Sequence, residues 1–402
     1  MNFNLFKKSR FTFYWIMIIF YLIYFRTSLD FSVSVLMIFL GLFIAIESSE
    51  IAVEAIDMLA KRLKLSTYVG GVISSIASNT PELVIAAFAV FAGKTEFAIA
   101  LITIATGFNI LMLGVLIILG NKIRRGPIDL PAEVIDVEVP IMRVAIVILG
   151  SIFTIGIVEF VIEVYNKVTE NNASNVVPRL PHEASALMVL TYLVYLFFIV
   201  NHNLNQLRSG KEPVKPNSLS KQHPMSRYKL IGFLVLAFAG IFVAGEMISS
   251  SVEFLADKQG IDEFLIAFIV GFSASIPEHF IALLAANKDG GIELGLGNLM
   301  AGSMQNLLMV IGLTGLISGI AAWLGVHTAD GVNSIDGLQL IHETAHGFIP
   351  FILVQIGFAW LILFLVKSSI TDDKKLDYYE GFTIVMAQSF VFIIFLKGIL
   401  GL

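Results

Sequence analysis

Gly70-Gly71-Val72-Ile73-Ser74-Ser75-Ile76-Ala77-Ser78-Asn79-Thr80-Pro81-Glu82 is a run of small residues, one proline and one acid inside a long apolar stretch. A second run of the same kind stands in the other half of the chain: Gly271-Phe272-Ser273-Ala274-Ser275-Ile276-Pro277-Glu278-His279. Each sets a glutamate directly after a proline. An ionised carboxylate in the middle of an apolar helix costs at least ~2.5–3.5 kcal/mol on membrane-insertion scales. It persists where something pairs with it or where it has a function.

Working outward from the two runs, further landmarks match. Ala45-Ile46-Glu47 answers Ala244-Gly245-Glu246, and Val53-Glu54 answers Val252-Glu253. Asn109-Ile110-Leu111-Met112 answers Asn306-Leu307-Leu308-Met309. The offsets are 199, 199, 196 for the Pro-Glu pair, and 197 residues. A nearly constant offset over four landmarks marks an internal repeat.

The apolar residues, 57% of a chain of 402, fall in blocks of about 20, the length that crosses a bilayer core as helix. Only 14% of residues are charged, against about 25% in soluble domains. The blocks lack strand-type alternation, which argues against a β-barrel. The spans predicted are 11–27, 31–53, 68–92, 96–120, 139–164, 184–203, 229–256, 262–287, 293–319, 347–368 and 380–400. Lys7-Lys8-Ser9-Arg10 followed by an apolar run resembles a signal peptide, but Tyr24-Phe25-Arg26 closes the run without a small-residue cleavage site. A retained first helix is expected.

With the N-terminus in the cytoplasm, the inner segments hold 19 Lys and Arg and the outer segments 6. That asymmetry favours eleven spans with the C-terminus outside. The expected fold is an all-α polytopic membrane protein: an N-terminal helix (1–30), a five-helix repeat (31–203), a polar basic cytoplasmic linker (204–228) and a second five-helix repeat (229–402). An odd number of spans per repeat inverts the second copy, the architecture of many secondary transporters.

Proline also supplies oxygen. Pro81 cannot donate to the carbonyl of Ala77, nor Pro277 to that of Ser273. Freed carbonyls, Glu82, Glu278, and the side-chain oxygens of Ser78, Asn79, Ser275 and Ser303 together make an all-oxygen cage. Such a cage suits Ca2+, which takes about six to eight oxygens. Two carboxylates match one divalent ion. Asn109 and Asn306 add neutral amides from the next helix of each repeat. The plainer reading is a pair of kinks whose acids pair elsewhere, with each Asn tying helices together. It leaves the symmetry unexplained. Glu47, Glu54, Glu246 and Glu253 lie on the preceding helices, and the members of each pair share a face. They line an ion or proton pathway, or else sit solvated at the membrane–water interface.

Other chemistry is limited. There is no cysteine, hence no disulfide and no thiolate site. No nucleic-acid motif is present. His342-Glu343-Thr344-Ala345-His346 fits the H-E-x-x-H zinc-peptidase pattern, which needs a continuous helix. Gly347 and Pro350 follow at once, and Asp330 and Asp336 are weak candidates for a third ligand. The plainer reading is a polar helix start.

At these motifs the chain resembles the Ca2+:cation antiporter superfamily, whose repeats carry a Pro-Glu or related acidic motif on one helix and a polar motif on the next. It looks most like the cation/proton (CAX-type) branch, through Gly70-Gly71, Asn79-Thr80-Pro81-Glu82, Glu278-His279 and Gly302-Ser303 before Asn306. The resemblance covers nearly the whole chain. In Na+/Ca2+ exchangers an acid often fills one amide position; here both are Asn, which favours protons over sodium. Departures are Ala105 for a common Ser, Ala274-Ser275 for Gly-Asn, and a linker without an acidic stretch. The resemblance implies a Ca2+/H+ antiporter with alternating access, proton coupling through Glu82, Glu278 and His279, and metal held by Glu82 and Glu278. Na+-coupled exchange, a channel and a zinc peptidase stand as alternatives. The expected partners are Ca2+ with H+ or Na+ as substrates and the lipid bilayer, with no cofactor, no nucleic acid, and a homo-oligomer as an option. The expected location is a prokaryotic plasma membrane.

Overall fold

The computed structural model describes residues 15–19, 21–22, 29–62, 67–130, 135, 139–169, 178–208, 227–286, 291–325, 337–344 and 347–400. The side chain of Glu278, most of the first expected span and most of the linker lie outside the described residues.

The chain is a helical bundle. The first half runs α1 (Phe31–Arg62), α2 (Thr67–Ser78), α3 (Thr80–Phe91), α4 (Thr95–Arg124), α5 (Val139–Val168) and α6 (His182–Arg208). The second runs α7 (Arg227–Gln259), α8 (Glu263–Ala286), α9 (Gly291–Gln305), a π-helical turn at Asn306–Val310, α10 (Ile311–Trp323), α11 (Phe351–Asp372) and α12 (Tyr378–Leu400). Among the described residues, eight helices are long and apolar enough to cross a membrane, and two apolar helices, Ser75–Phe91 and Glu263–Ile276, are shorter. They coincide with every expected span except 11–27.

Burial divides the helices as a membrane bundle requires. Every residue of α4 from Phe97 to Ile110 is buried, so this helix runs through the protein interior. On α5, Val144, Val147, Ile155, Val158 and Val161 are exposed, an apolar face suited to lipid tails. α1 and α7 lie against each other through small residues. A Cβ at Gly41 would stand 2.7 Å from Ile248 Cγ1 and 3.3 Å from the Ala244 carbonyl. Only glycine permits that approach, and close backbone contact is what holds helices together where no hydrophobic effect separates them from lipid. Ile18 and Tyr21 pack on this seam with Met37, Ile44 and Met247.

Short strands tie the connections together. The α4–α5 connection (β1, Ile128–Asp129) pairs antiparallel with the α11–α12 connection (β6, Lys375–Leu376). The α5–α6 connection (β2, Arg179–Leu180) pairs with the α10–α11 connection (β3, Leu338–Gln339). A helix crosses the bundle between β1 and β2, so the two pairings lie at opposite ends. Each joins connections of unlike rank in the two halves.

The structure corrects two expectations. The span 68–92 is not one helix. It breaks at Asn79, and Pro81 sits in the first turn of α3, where its missing N–H is harmless. Its counterpart Pro277 stays inside the continuous helix α8. The two runs differ here, with Asn79-Thr80 in the first and Ser275-Ile276 in the second. The second correction concerns His342-Glu343-Thr344, which is a strand (β4) paired with Gly347–Ile349 (β5) in a hairpin. Zinc ligation through H-E-x-x-H needs both histidines on one helical face. His342, Glu343 and Thr344 are in a strand and not on a helix, so both the peptidase reading and the polar helix start fall. Ala345, His346, Asp330 and Asp336 lie outside the described residues.

Candidate cation site

The helix break sets the site. At Asn79 the chain leaves α2 and re-enters a helix at Thr80, which brings Glu82 into the first turn of α3. A carboxylate there meets the positive end of the helix dipole. Glu82 and Asn79 are each 0% exposed. Two carbonyls beside the proline are met by hydroxyls. Thr80 Oγ1 donates to the Ile76 carbonyl at 2.7 Å. Ser49 Oγ of α1 donates to the Ala77 carbonyl at 3.4 Å. The Ala77 oxygen, expected to be free, is thus shared with α1.

Asn79 does not cap α3 with its side chain. Its Nδ2 reaches across the bundle, to the Gly302 carbonyl and to Gln305 Oε1, both at 3.2 Å. Ser75 Oγ donates to the same Gln305 oxygen at 3.0 Å. From the other half, His279 on α8 reaches Asn109 on α4, with Nε2 and Oδ1 2.9 Å apart. The first half's polar motif therefore holds the second half's polar helix, and the reverse.

Several buried polar atoms have no hydrogen-bond partner among the described residues: Asn79 Oδ1, Gln305 Nε2 and both amide atoms of Asn306. Such atoms are costly and are expected where a ligand completes them. Asn306 opens the π-helical turn, which has no counterpart in α4, and π turns inside α-helices recur at functional sites.

The expected site residues divide accordingly. Ala77, Ser78, Asn79, Glu82, Asn109, Ser275, His279, Ser303 and Asn306 are all buried. The hydroxyls of Ser78, Ser275 and Ser303 donate back to the carbonyls of Ser75, Gly271 and Leu299. Their oxygens can still accept a cation. Ser273 is only half-buried, and its hydroxyl turns back to Ile269. Glu278 lies on α8 by its backbone. Glu47 is buried and Glu246 half-buried, whereas Glu54 and Glu253 are exposed. Two turns along a helix carry each pair from interior to rim. Among the described residues no cluster of three His, Asp or Glu forms. The polar side chains described here are therefore mainly amides and hydroxyls. Residues not anticipated as site members are Gln305, Ser75 and Ser49. Gln305 aligns with Phe108 in the repeat, so symmetry gave no reason to single it out.

A second charged feature lies at the other end of α4 from β1. Lys94, buried in the turn before α4, pairs with Asp257 and, at 2.9 Å, with Glu263. Burial disfavours its charge, but the hydrogen bonds and charges of the two acids outweigh that and hold its pKa above the ordinary lysine value. This triad fastens the α3–α4 turn to the α7–α8 turn, again joining connections of unlike rank.

The model of the family described as "Sodium/calcium exchanger protein" matches this chain twice, over residues 33–201 and 229–398. The chain belongs to that family. This exchanger is a multi-pass membrane ion transporter of the antiporter type and not an enzyme. It is 22% identical over 363 residues to the putative antiporter CaxA of Alkalimonas amylolytica, across 88% of this chain and 96% of that one. It is 23% identical over 286 residues to the inner membrane protein YrbG of Escherichia coli, across 70% and 79%. Among solved structures, the H+/Ca2+ exchanger CAX matches the exchanger with a TM-score of 0.67 at 15% identity, covering 98% of this chain and 93% of that one. The sodium-calcium exchanger NCX_Mj matches with a TM-score of 0.53 at 16% identity, covering 91% and 98%. At these identities the likeness to both structures is one of fold.

Proposed function

We propose that the chain exchanges Ca2+ for H+ by alternating access around one central site in which Glu82 and Glu278 alternately hold metal and protons. The observation that carries this reading is the fully buried Glu82 at a helix break, one turn from a buried Asn79 whose side-chain oxygen has no partner among the described residues. Ca2+ binds when both acids are ionised, with amide, hydroxyl and carbonyl oxygens completing its shell. Protonation of both acids neutralises the empty cage, so it reorients without a bare buried charge. Metal and protons thus compete for the same oxygens.

The crossed pairing of connections supports an inverted relation between residues 31–203 and 229–402, joined by a linker at 204–228. Inverted repeats rock about a fixed site. The α1–α7 pair is the moving part in this reading, with Glu47 and Glu246 facing the route and Glu54 and Glu253 at its rim. The N-terminus lies in the cytoplasm of a prokaryotic cell, by the Lys and Arg asymmetry.

Two neutral amides at Asn109 and Asn306 leave the site with two acids only, which suits two protons. A site for several sodium ions would gain from a further fixed charge. Ca2+ uptake into proteoliposomes separates these cases. A pH gradient drives uptake without sodium if protons are the counter-ion. A sodium gradient at fixed pH drives it if sodium is.

A further inference from the structure

We propose that Gln305 is a positioning residue that fixes the Asn79 amide so that its oxygen, and not its nitrogen, faces the cation. The proposal deepens the site reading above and rests on it.

The hydrogen-bond network determines the amide orientation. The Gly302 carbonyl can only accept, so the Asn79 atom 3.2 Å from it is the donating Nδ2. The same Nδ2 stands 3.2 Å from the Gln305 side chain, which must then present its own acceptor, Oε1. Ser75 Oγ, 3.0 Å from Oε1, shares its one hydrogen between that oxygen and the Val72 carbonyl at 2.7 Å. Turning the Asn79 amide over would set its oxygen against two acceptor oxygens at once. Turning the Gln305 amide over would set two NH2 groups against each other. All three side chains are buried, so water cannot relieve either clash.

The consequence is directional. With both hydrogens of Nδ2 engaged, Asn79 Oδ1 points away from Gly302 and Gln305, buried and without a partner among the described residues. A cation recognises that oxygen and is repelled by an NH2 group. Gln305 itself turns Nε2 outward, also without a partner, so it is not presenting oxygen to the same spot. It acts through Asn79 and does not touch the metal. The repeat alignment puts Phe108 at the corresponding place in α4, so this device serves one half only.

The test is Ca2+ binding by purified protein in detergent, with Ca2+ flux in proteoliposomes beside it. Gln305→Met keeps length and bulk but removes the acceptor. It raises the Ca2+ dissociation constant and KM about tenfold, the effect of one misdirected ligand, with the maximal rate kept within about twofold. Gln305→Glu keeps an oxygen facing Asn79 and restores KM to within about threefold of the original. Ser75→Ala, which only loosens Gln305, raises KM about two- to threefold and decides the matter if Gln305→Met does not fold. Unchanged KM in Gln305→Met or Ser75→Ala overturns the proposal. So does equal weakening by Gln305→Met and Gln305→Glu, which marks a purely structural role. Absence of Ca2+ binding by the unaltered protein instead refutes the site reading, and the proposal with it, and is recognised by the same assay before any variant is made.

Discussion

His279 Nε2 stands 2.9 Å from Asn109 Oδ1, joining α8 of the second half to α4 of the first. An amide oxygen can only accept, so the imidazole donates from Nε2. Both side chains are buried. The bond holds the Asn109 oxygen toward His279.

Replacing His279 therefore tests orientation. His279→Gln can still donate to Asn109 and keeps Ca2+ exchange within about threefold of the original. His279→Leu removes this donor to the Asn109 oxygen and lowers Ca2+ affinity about tenfold. Flux assays on both variants, each checked for a monodisperse peak in detergent, give the comparison. Equal activity of the two variants would remove the orienting role.

Lys94 offers a test of stability. Lys94→Met leaves Asp257 and Glu263 without their common cation and lowers unfolding stability by about 2 kcal/mol at neutral pH. The sign of the pH dependence follows from a lysine pKa held above its ordinary 10.5 by the two acids, against the opposing effect of burial. The stabilisation is complete below the unfolded-state value and is lost as pH rises through the folded-state value. Thermal unfolding in detergent from neutral to strongly alkaline pH checks this. The gap between the two proteins stays constant up to about pH 10.5 and narrows above it.

The α1–α7 pair offers a test of motion. A Cβ at Gly245 would meet Val84 Cγ1 at 2.8 Å and Phe88 Cδ2 at 3.1 Å. Gly245 precedes Glu246, and Val84 is two residues past Glu82, so α7 passes close to the break in this conformation. Gly245→Leu destabilises by about 1–3 kcal/mol and lowers the maximal exchange rate more than it raises KM. Gly245→Ala shows the same pattern more weakly. A change in KM alone would mean that the contact does not govern the sliding of α7.

Much of this was legible in the sequence because membrane physics is severe. Apolar blocks long enough to cross a bilayer admit few folds, and the expected spans from 31 onward are helical among the described residues, with 68–92 broken in two at Asn79. Glu82, Asn79 and Asn109 stood out because polar groups in apolar helices are rare, and the structure buries all three. The repeat offset found the two halves that the family model also matches as separate segments.

The misses share a cause. Proline and asparagine show their chemistry in the sequence, but the neighbour that accepts the Asn79 amide does not. That neighbour is Gln305, more than 200 positions away. Sequence symmetry drew attention to matched residues and away from Gln305, which matches a phenylalanine. The H-E-x-x-H pattern suggests a helix start, but the run is short and is followed by Gly347 and Pro350. A hairpin satisfies its backbone better.

The most direct measurement is Ca2+ uptake into proteoliposomes driven by a pH gradient, made in parallel on the unaltered protein, Glu82→Gln and Glu278→Gln. Exchange of Ca2+ for H+ at these two acids requires uptake by the first and none by either variant, with all three proteins folded and correctly inserted. Uptake at the original rate by both variants would contradict it.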